Sequence, residues 1–346
     1  MLEFIKRQTE YLFTGYFAVV MATGALSISA HLLGYGRLSA ALLAVNAVLF
    51  ILLWVLTGAR LVFHPRRMAA DIGNHMSGPG FFTIVAGTAV FGSELIVITG
   101  RTGPSAFLYG LAALLWVLIM YAFFTAVIVR EEKPDLPSGI GGAWLIAAVA
   151  TQSLSILGVL LSGHSPAPRN WVFASLCMFY LGFMLYLLII IPIFHRLVFA
   201  KLRPRQFAPT YWISMGAAAI TTLAGSMLIT ETDGGDLTAG MMPFLKGLTL
   251  MAWTFATWWI PLLASLAGWR YFIKRDPITY DPQFWGMAFP LAMYTAATYQ
   301  LAGAVDMPDL RVLSRWFFPV SITAWALFFL WMCRHLIGML IRSRDR

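Results

Sequence analysis

This sequence predicts an all-α integral membrane protein. The expected architecture is ten transmembrane helices as five tandem helical hairpins, odd helices forming an inner ring around a central pore and even helices outside. Three observations predict it. The 346 residues are 60% apolar and only 11% charged, far from the composition of an ordinary soluble chain, and mean hydropathy is +0.77. A helix needs about 20 apolar residues to cross a hydrocarbon core of about 30 Å, and ten such segments use most of the chain, leaving no room for a soluble domain. One pattern also recurs at the start of every odd segment.

The spans are expected at 11–33, 38–58, 79–98, 105–129, 142–162, 171–195, 209–229, 241–273, 282–302 and 312–341. They form one transmembrane domain, 1–346, with short ends at 1–10 and 342–346. The start, MLEFIKRQTEYLF, carries Glu3 and Glu10 and lacks a small-residue cleavage site, so it reads as an interfacial lead-in and not as a removed signal peptide. Trp171, Tyr211, Trp269, Tyr271, Trp285 and Trp316 fall near predicted ends, where amphipathic rings suit the headgroup level. Gly and Pro cluster between spans, as turns require. The loop holding HPRR and DIGNH is expected to be cytoplasmic and basic.

The odd spans open with an aromatic doublet or a Trp, followed by small residues: TGYFAVVMATGA from Thr14, GPGFFTIVAGTA from Gly78, GGAWLIAAVATQ from Gly141, APTYWISMGAAA from Ala208 and DPQFWGMAFPLA from Asp281. These starts recur every 63 to 73 residues, the length of a helical hairpin with its loops. Even spans such as LLAVNAVLFILLWVL are bulky and aliphatic, as lipid-facing helices should be. Small residues alone would make a tight bundle. Five similar helices about an axis leave a gap that small side chains do not fill, so a continuous pore is expected.

Registering the repeats on their aromatic openings names a wall. The first level is Met21, Ala86, Ala148, Gly216 and Phe289; one turn further come Ala25, Val90, Gln152, Ile220 and Met293. A slip of one residue would turn the face by about 100°. Phe289 and Pro290 depart from the pattern. Pro290 removes a backbone donor and should bend or break the helix, and in lipid a freed carbonyl is tolerated only where protein or a watery cavity meets it. Phe289 therefore sits beside a break facing the interior, either filling the kink or closing a path.

The net charge of +9 does not imply nucleic acid. With the chain starting inside, 18 of the 24 Lys and Arg fall on inner segments; Arg37, Arg101, Arg169, Lys246, Arg311 and Arg315 fall outside. That asymmetry places both termini in the cytoplasm of a cell whose plasma (bacterial inner) membrane holds the protein, and the basic residues serve topology and anionic lipid contact. Cys177 and Cys333 lie within predicted helices, so neither a disulfide framework nor a metal site is suggested, and no cofactor is implied. An enzyme is disfavoured: the spans show no HExxH, paired Asp or Glu, phosphate-binding Gly loop or haem-like histidine pair.

The odd-span openings, with FWGMAFPLAMYTAATYQL, PTYWISMGAAAITTLAG and GGAWLIAAVA, resemble the tellurite-resistance/C4-dicarboxylate transporter family over essentially the whole chain. That family includes bacterial tellurite-resistance proteins, yeast malate and sulfite transporters and the slow anion channels of plant guard cells. The resemblance implies a homotrimer in which each subunit has its own pore, and a phenylalanine on the ninth helix that occludes it; Phe289 matches that position.

A charged residue at mid-membrane costs roughly 2.5 to 3.5 kcal/mol on insertion scales, so a functional one stands out. Only Glu94 in the third span, Lys246 near the start of the eighth and His31 near the end of the first qualify, and each has a bland reading as an interfacial or paired group. Pumps and coupled carriers usually show buried carboxylates, histidines or broken helices in matched halves. A narrow, mostly neutral lumen with basic surroundings instead suits small anions passed by weak contacts. A gated anion channel or channel-like transporter is the leading expectation. A proton-coupled carrier for malate or succinate, or a sulfite or tellurite exporter, is the alternative.

Overall fold

The computed structural model describes residues 9–231 and 240–344. The lead-in through residue 8 and the last two residues lie outside them, and so do Lys6, Arg7 and Arg346, charges expected at the cytoplasmic ends. Among the described residues lie ten long helices: α1 (Ala18–Leu32), α2 (Gly36–Phe63), α3 (Phe82–Thr99), α4 (Thr102–Val129), α5 (Ile146–Ser162), α6 (Pro168–Phe199), α7 (Ile213–Glu231), α8 (Met242–Gly268), α9 (Trp285–Ala304) and α10 (Leu310–Arg344). Eight of these segments are long and apolar enough to cross a membrane by length and composition. The other two are α1, with 15 residues, and α9, whose Tyr294, Thr295, Thr298, Tyr299 and Gln300 dilute its apolar content.

The recurring openings become a recurring local structure. A short 3-10 turn leads into α3 (Gly78–Phe81), α5 (Gly142–Leu145), α7 (Pro209–Trp212) and α9 (Pro282–Phe284). Pro79, Pro209 and Pro282 stand in the first positions of three of these turns, where the missing N–H has no helical partner to lose and the fixed φ suits the helix. With the turn included, the third, fifth, seventh and ninth segments begin within one residue of the expected positions.

Contacts between helices follow one order. α1 packs on α3, α3 on α5, α5 on α7, α7 on α9, and α9 packs back on α1. Each even helix packs on the odd helix before it and on the one after it, with α10 reaching α1. The most apolar windows of the segments ending in α3, α5 and α7 are 83 to 94% buried, whereas those of the five even helices are 22 to 44% buried. α1 and α9 are also mostly buried. The reason lies in the side chains: Gly, Ala, Ser and Thr on odd helices permit close approach, and bulky aliphatic residues on even helices have nowhere inside to go.

Lipid offers no hydrogen-bond partner, so many polar groups on these helices find one inside the protein. Serine hydroxyls tie neighbouring helices through backbone carbonyls, Ser27 to Ser39, Ser105 to Gly92, Ser155 to Ser175 and Ser314 to Thr295, each at 2.8 Å. Indole N–H groups on even helices donate to threonines on odd ones: Trp116 to Thr151, Trp253 to Thr298 and Trp325 to Thr23. Between α7 and α8 the approach is closer still, since a β-carbon on Gly225 would stand 2.1 Å from Thr249 Oγ1. Two aromatic residues expected at the headgroup level are corrected here: Tyr211 and Trp285 are buried within the protein, because the odd helices start inside a wall of other segments.

The turn before α5 lies directly on the one before α7. A β-carbon on Gly142 would come 2.2 Å from the Thr210 carbonyl oxygen and 2.7 Å from Tyr211 Cα, both backbone. Gly142→Ala is therefore expected to cost about 1–3 kcal/mol by overpacking, read as a lower melting temperature in detergent. Gly103→Ala, where nothing lies within 4 Å of the added carbon, should leave that temperature unchanged.

Candidate functional site: an arginine-lined cavity

A cavity of about 750 Å³ sits at the end of the molecule where the odd helices begin. Its rim comes from the last turns of even helices and their connections to the odd ones, with Arg60, Arg67, His75, Arg196, Arg205 and Tyr211 among its residues. Deeper in, the wall is formed by the first turns of odd helices: Ala18 and Met21 on α1, Thr83 on α3, Ile146 and Val149 on α5, Ile213 on α7, and Gly286 and Phe289 on α9. The lining thus passes from charged to apolar as it enters the helices.

Four arginines and one carboxylate, Asp71, lie along it. Arg60 is 3% exposed; it forms a salt bridge with Asp71 and donates to the Glu10 carbonyl. A short helix, Pro65–Ile72, carries Asp71 to this place, and Ser77 Oγ donates to the Asp71 carbonyl. The HPRR and DIGNH loop is thereby part of the cavity wall. Arg67 lies over the Tyr11 ring, 4.5 Å from its centroid. Arg205 shares Asp276 with Arg270. Arg196, in the last turn of α6, donates through Nη1 to the Ile140 carbonyl and to the Tyr211 hydroxyl. Low-dielectric walls with an excess of one sign focus the field and concentrate counter-ions, here anions.

Phe289 is 2% exposed and lines the cavity beside Gly286. α9 runs as one continuous helix through Pro290, so the expected kink does not interrupt it. Pro290 has no N–H for the carbonyl four residues back, that of Gly286, a residue on the cavity. The proline ring itself is seated on α7: a β-carbon on Gly216 would stand 2.6 Å from Pro290 Cγ. Gly216, and not Phe289, fills the space beside the proline.

Of the residues registered as a wall, Met21 and Phe289 line the cavity. Gly216 is turned onto Pro290. Ala86 and Ala148 are fully buried and are not among the cavity-lining residues. On α3 and α7 the lining residues are Thr83 and Ile213, three positions earlier and so on nearly the same face. On α5 they are Ile146 and Val149, two positions before and one after Ala148. The aromatic openings set the level of the wall but not its rotation about each helix. One turn further in, Ala25, Ile220 and Met293 are buried. Val90 packs toward Gly24 of α1, where a β-carbon would meet its Cγ1 at 2.8 Å. Gln152 points to α6, its Nε2 donating to the Phe179 carbonyl at 3.0 Å. Sequence reasoning passed over Arg196 and Tyr211: the first was one basic residue among many at helix ends, the second one aromatic ring among many.

The voltage-dependent anion channel (SLAC1) family model matches residues 11–333. The chain belongs to this family. Among relatives of this SLAC1-family chain, an S-type anion channel, SLAH1 of Arabidopsis thaliana, is 26% identical over 164 residues, 47% of this chain and 38% of that protein. The sulfite efflux pump SSU1 of Trichophyton rubrum is 22% identical over 91% of this chain and 88% of its own length. An uncharacterized membrane protein of Mycobacterium tuberculosis (strain ATCC 25618 / H37Rv), Rv1735c, is 33% identical over 150 residues, 43% of this chain and 75% of that protein. Apolar helices and membrane-protein relatives together make the SLAC1-family chain a multi-pass membrane protein.

The three charged or titratable residues singled out in the spans separate clearly. His31 and Lys246 are exposed. Glu94 is fully buried, and Asn46 of α2 donates to its Oε2 at 2.5 Å. Glu94 Oε1 and Asn46 Oδ1 have no hydrogen-bond partner. Gly24 makes room for the pair, since a β-carbon there would lie 3.1 Å from Asn46 Nδ2 and 3.3 Å from Glu94 Oε2. Glu94→Ala strands the Asn46 amide and is expected to lower stability by about 1–3 kcal/mol. Glu94→Gln keeps an acceptor and should recover most of the loss in the same thermal-denaturation assay.

His75 supplies the pH dependence expected at the rim. Its carbonyl accepts from Trp144 Nε1 at 2.9 Å and its ring tilts against that indole. Partial burial, then the charges of Arg130 and Lys133, hold its pKa below the ordinary value. The folded protein therefore binds this proton less readily than the unfolded chain, which titrates at about 6.5. Its stability contribution is complete above that pH and is lost as pH falls toward the lower folded value. A melting-temperature profile from pH 7 to 5 should fall, and His75→Gln should flatten part of that fall.

Proposed function

We propose that this chain is a gated anion channel or channel-like anion transporter, with the anion path occluded by Phe289. In this reading the ten helices are five hairpins in one transmembrane domain, and the cycle of contacts from α1 through α9 is an inner ring about the path. One observation carries it: among the described residues, a cavity with four arginines and one carboxylate passes to apolar walls that include Phe289. Membership of the voltage-dependent anion channel family supports it, and so does the seat of Pro290 on Gly216, which leaves Phe289 free of the task of filling the proline's space.

In this reading small anions pass beyond the cavity by weak contact, with hydroxyl and backbone dipoles lowering the barrier. A membrane potential contributes about 2.3 kcal/mol per charge per 100 mV. With the arginine-rich end in the cytoplasm of a cell negative inside, passive flow favours anion efflux. The exposed apolar faces of the even helices suit lipid and, as family resemblance implies, two further copies in a trimer. Similarity to a sulfite efflux pump across most of the chain favours a second reading, a saturable exporter or a proton-coupled carrier of organic anions.

Purified protein in liposomes separates these readings. Phe289→Ala is expected to raise chloride or nitrate flux by about tenfold, the effect of removing roughly 1.4 kcal/mol of barrier, with little change in melting temperature. Flux linear in concentration and driven by voltage identifies a channel; saturation with a required pH gradient identifies the carrier. If neither the native protein nor the variant passes anions above empty vesicles, the proposal fails.

A further inference from the structure

Arg196 is 7% exposed, yet among the described residues no carboxylate pairs with it. Its partners are neutral: the Ile140 carbonyl and the Tyr211 hydroxyl, both taken by Nη1. A buried charge without a counter-charge is costly, and removing one partner of a buried pair typically costs several kcal/mol. Of the other cavity arginines, Arg60 has Asp71 and Arg205 has Asp276, while Arg67 is exposed and lies over a ring. Asp71, the single carboxylate among the described lining residues, is committed to Arg60.

The guanidinium also has an unused edge. Nε and Nη2 of Arg196 make no hydrogen bond to the protein and, unlike Arg60 Nε, are not sealed from solvent. These two parallel N–H groups form the face that grips two oxygens of a planar anion. Gly141 keeps space beside the group: it lines the cavity, and a β-carbon there would meet only Arg196 Nη1, at 3.8 Å. Its backbone, at φ −159° and ψ 177°, is ordinary extended chain that any residue adopts.

We propose that Arg196, with Gly141 and Tyr211 beside it, forms a binding site for a small planar oxyanion of the nitrate or carboxylate type, which supplies the missing counter-charge. The site rests on the reading of the cavity as an anion's route, and lies on the wall before Phe289 is reached. A spherical halide takes the charge but not the two-point geometry, so the site favours oxyanions over chloride. Arg196→Lys keeps the charge and loses the fork; Arg196→Gln loses both.

Nitrate is the probe. At equal ionic strength, sodium nitrate should raise the melting temperature of the native protein in detergent more than sodium chloride does. Arg196→Gln should abolish the difference, and Arg196→Lys should leave nitrate and chloride equal. Gly141→Val keeps every Arg196 hydrogen bond, so it guards against a variant that merely misfolds; it should weaken the nitrate effect while its nitrate-free melting temperature stays near native. In liposomes of the Phe289→Ala protein, Arg196→Gln should lower the ratio of nitrate to chloride flux by about tenfold, the scale of a lost charge-assisted hydrogen bond. A nitrate shift that persists when no vesicle passes anions overturns the transport reading and upholds the site. A native protein whose melting temperature is no higher in nitrate than in chloride, or an Arg196→Gln protein that keeps the full difference, overturns the site.

Discussion

Pro290 and Gly216 meet so closely that no β-carbon fits between them, the nearest ring atom standing 2.6 Å from where one would lie. Much of the site depends on this contact. It holds α7 against α9, it fills the space that a proline usually leaves beside a helix, and it absorbs the proline without breaking α9. The carbonyl that loses its helical donor belongs to Gly286, a residue on the cavity. Phe289, one residue before the proline, is left to face the cavity. A larger residue at 216 would push the two helices apart and move the ring with them.

The same logic of close approach extends along the molecule. Hydroxyls and indoles that would be stranded in lipid are turned to backbone carbonyls and threonines of the adjacent helix, so each pair of consecutive helices is tied by at least one polar contact or one glycine seat. Such ties are individually modest, on the order of 0.6 kcal/mol in a membrane. Their value lies in setting which faces meet. The buried faces of the odd helices are small-residue faces, and the even helices carry the bulky apolar surface outward.

Charge is distributed by a different rule. Arginines gather where the odd helices begin, and their partners differ: Arg60 is neutralised by Asp71, the exposed Arg205 shares an aspartate, and the buried Arg196 has neutral partners alone among the described residues. An excess of arginine at that end favours anions nearby, and in the proposed reading the apolar turns beyond it present the barrier.

Helix positions, the division into small and bulky helices and the recurrence of the odd-helix openings were legible in the sequence, because length, hydropathy and side-chain size along one chain set them. Phe289 was legible because it breaks a repeat. Rotation of each helix about its axis was not: Met21 and Phe289 reach the cavity, while Gly216 turns onto Pro290, Gln152 onto α6 and Val90 toward Gly24. A register taken from aromatic rings fixes depth, and a shift of one residue turns a helix by about 100°, so facing is decided by what packs on the other side. Nor does composition reveal which of many arginines is buried without a carboxylate. The sequence by itself determined that this chain lives in a membrane and where its helices run; only the tertiary structure decided which side chains meet at the cavity, because those neighbours come from segments far apart in the chain.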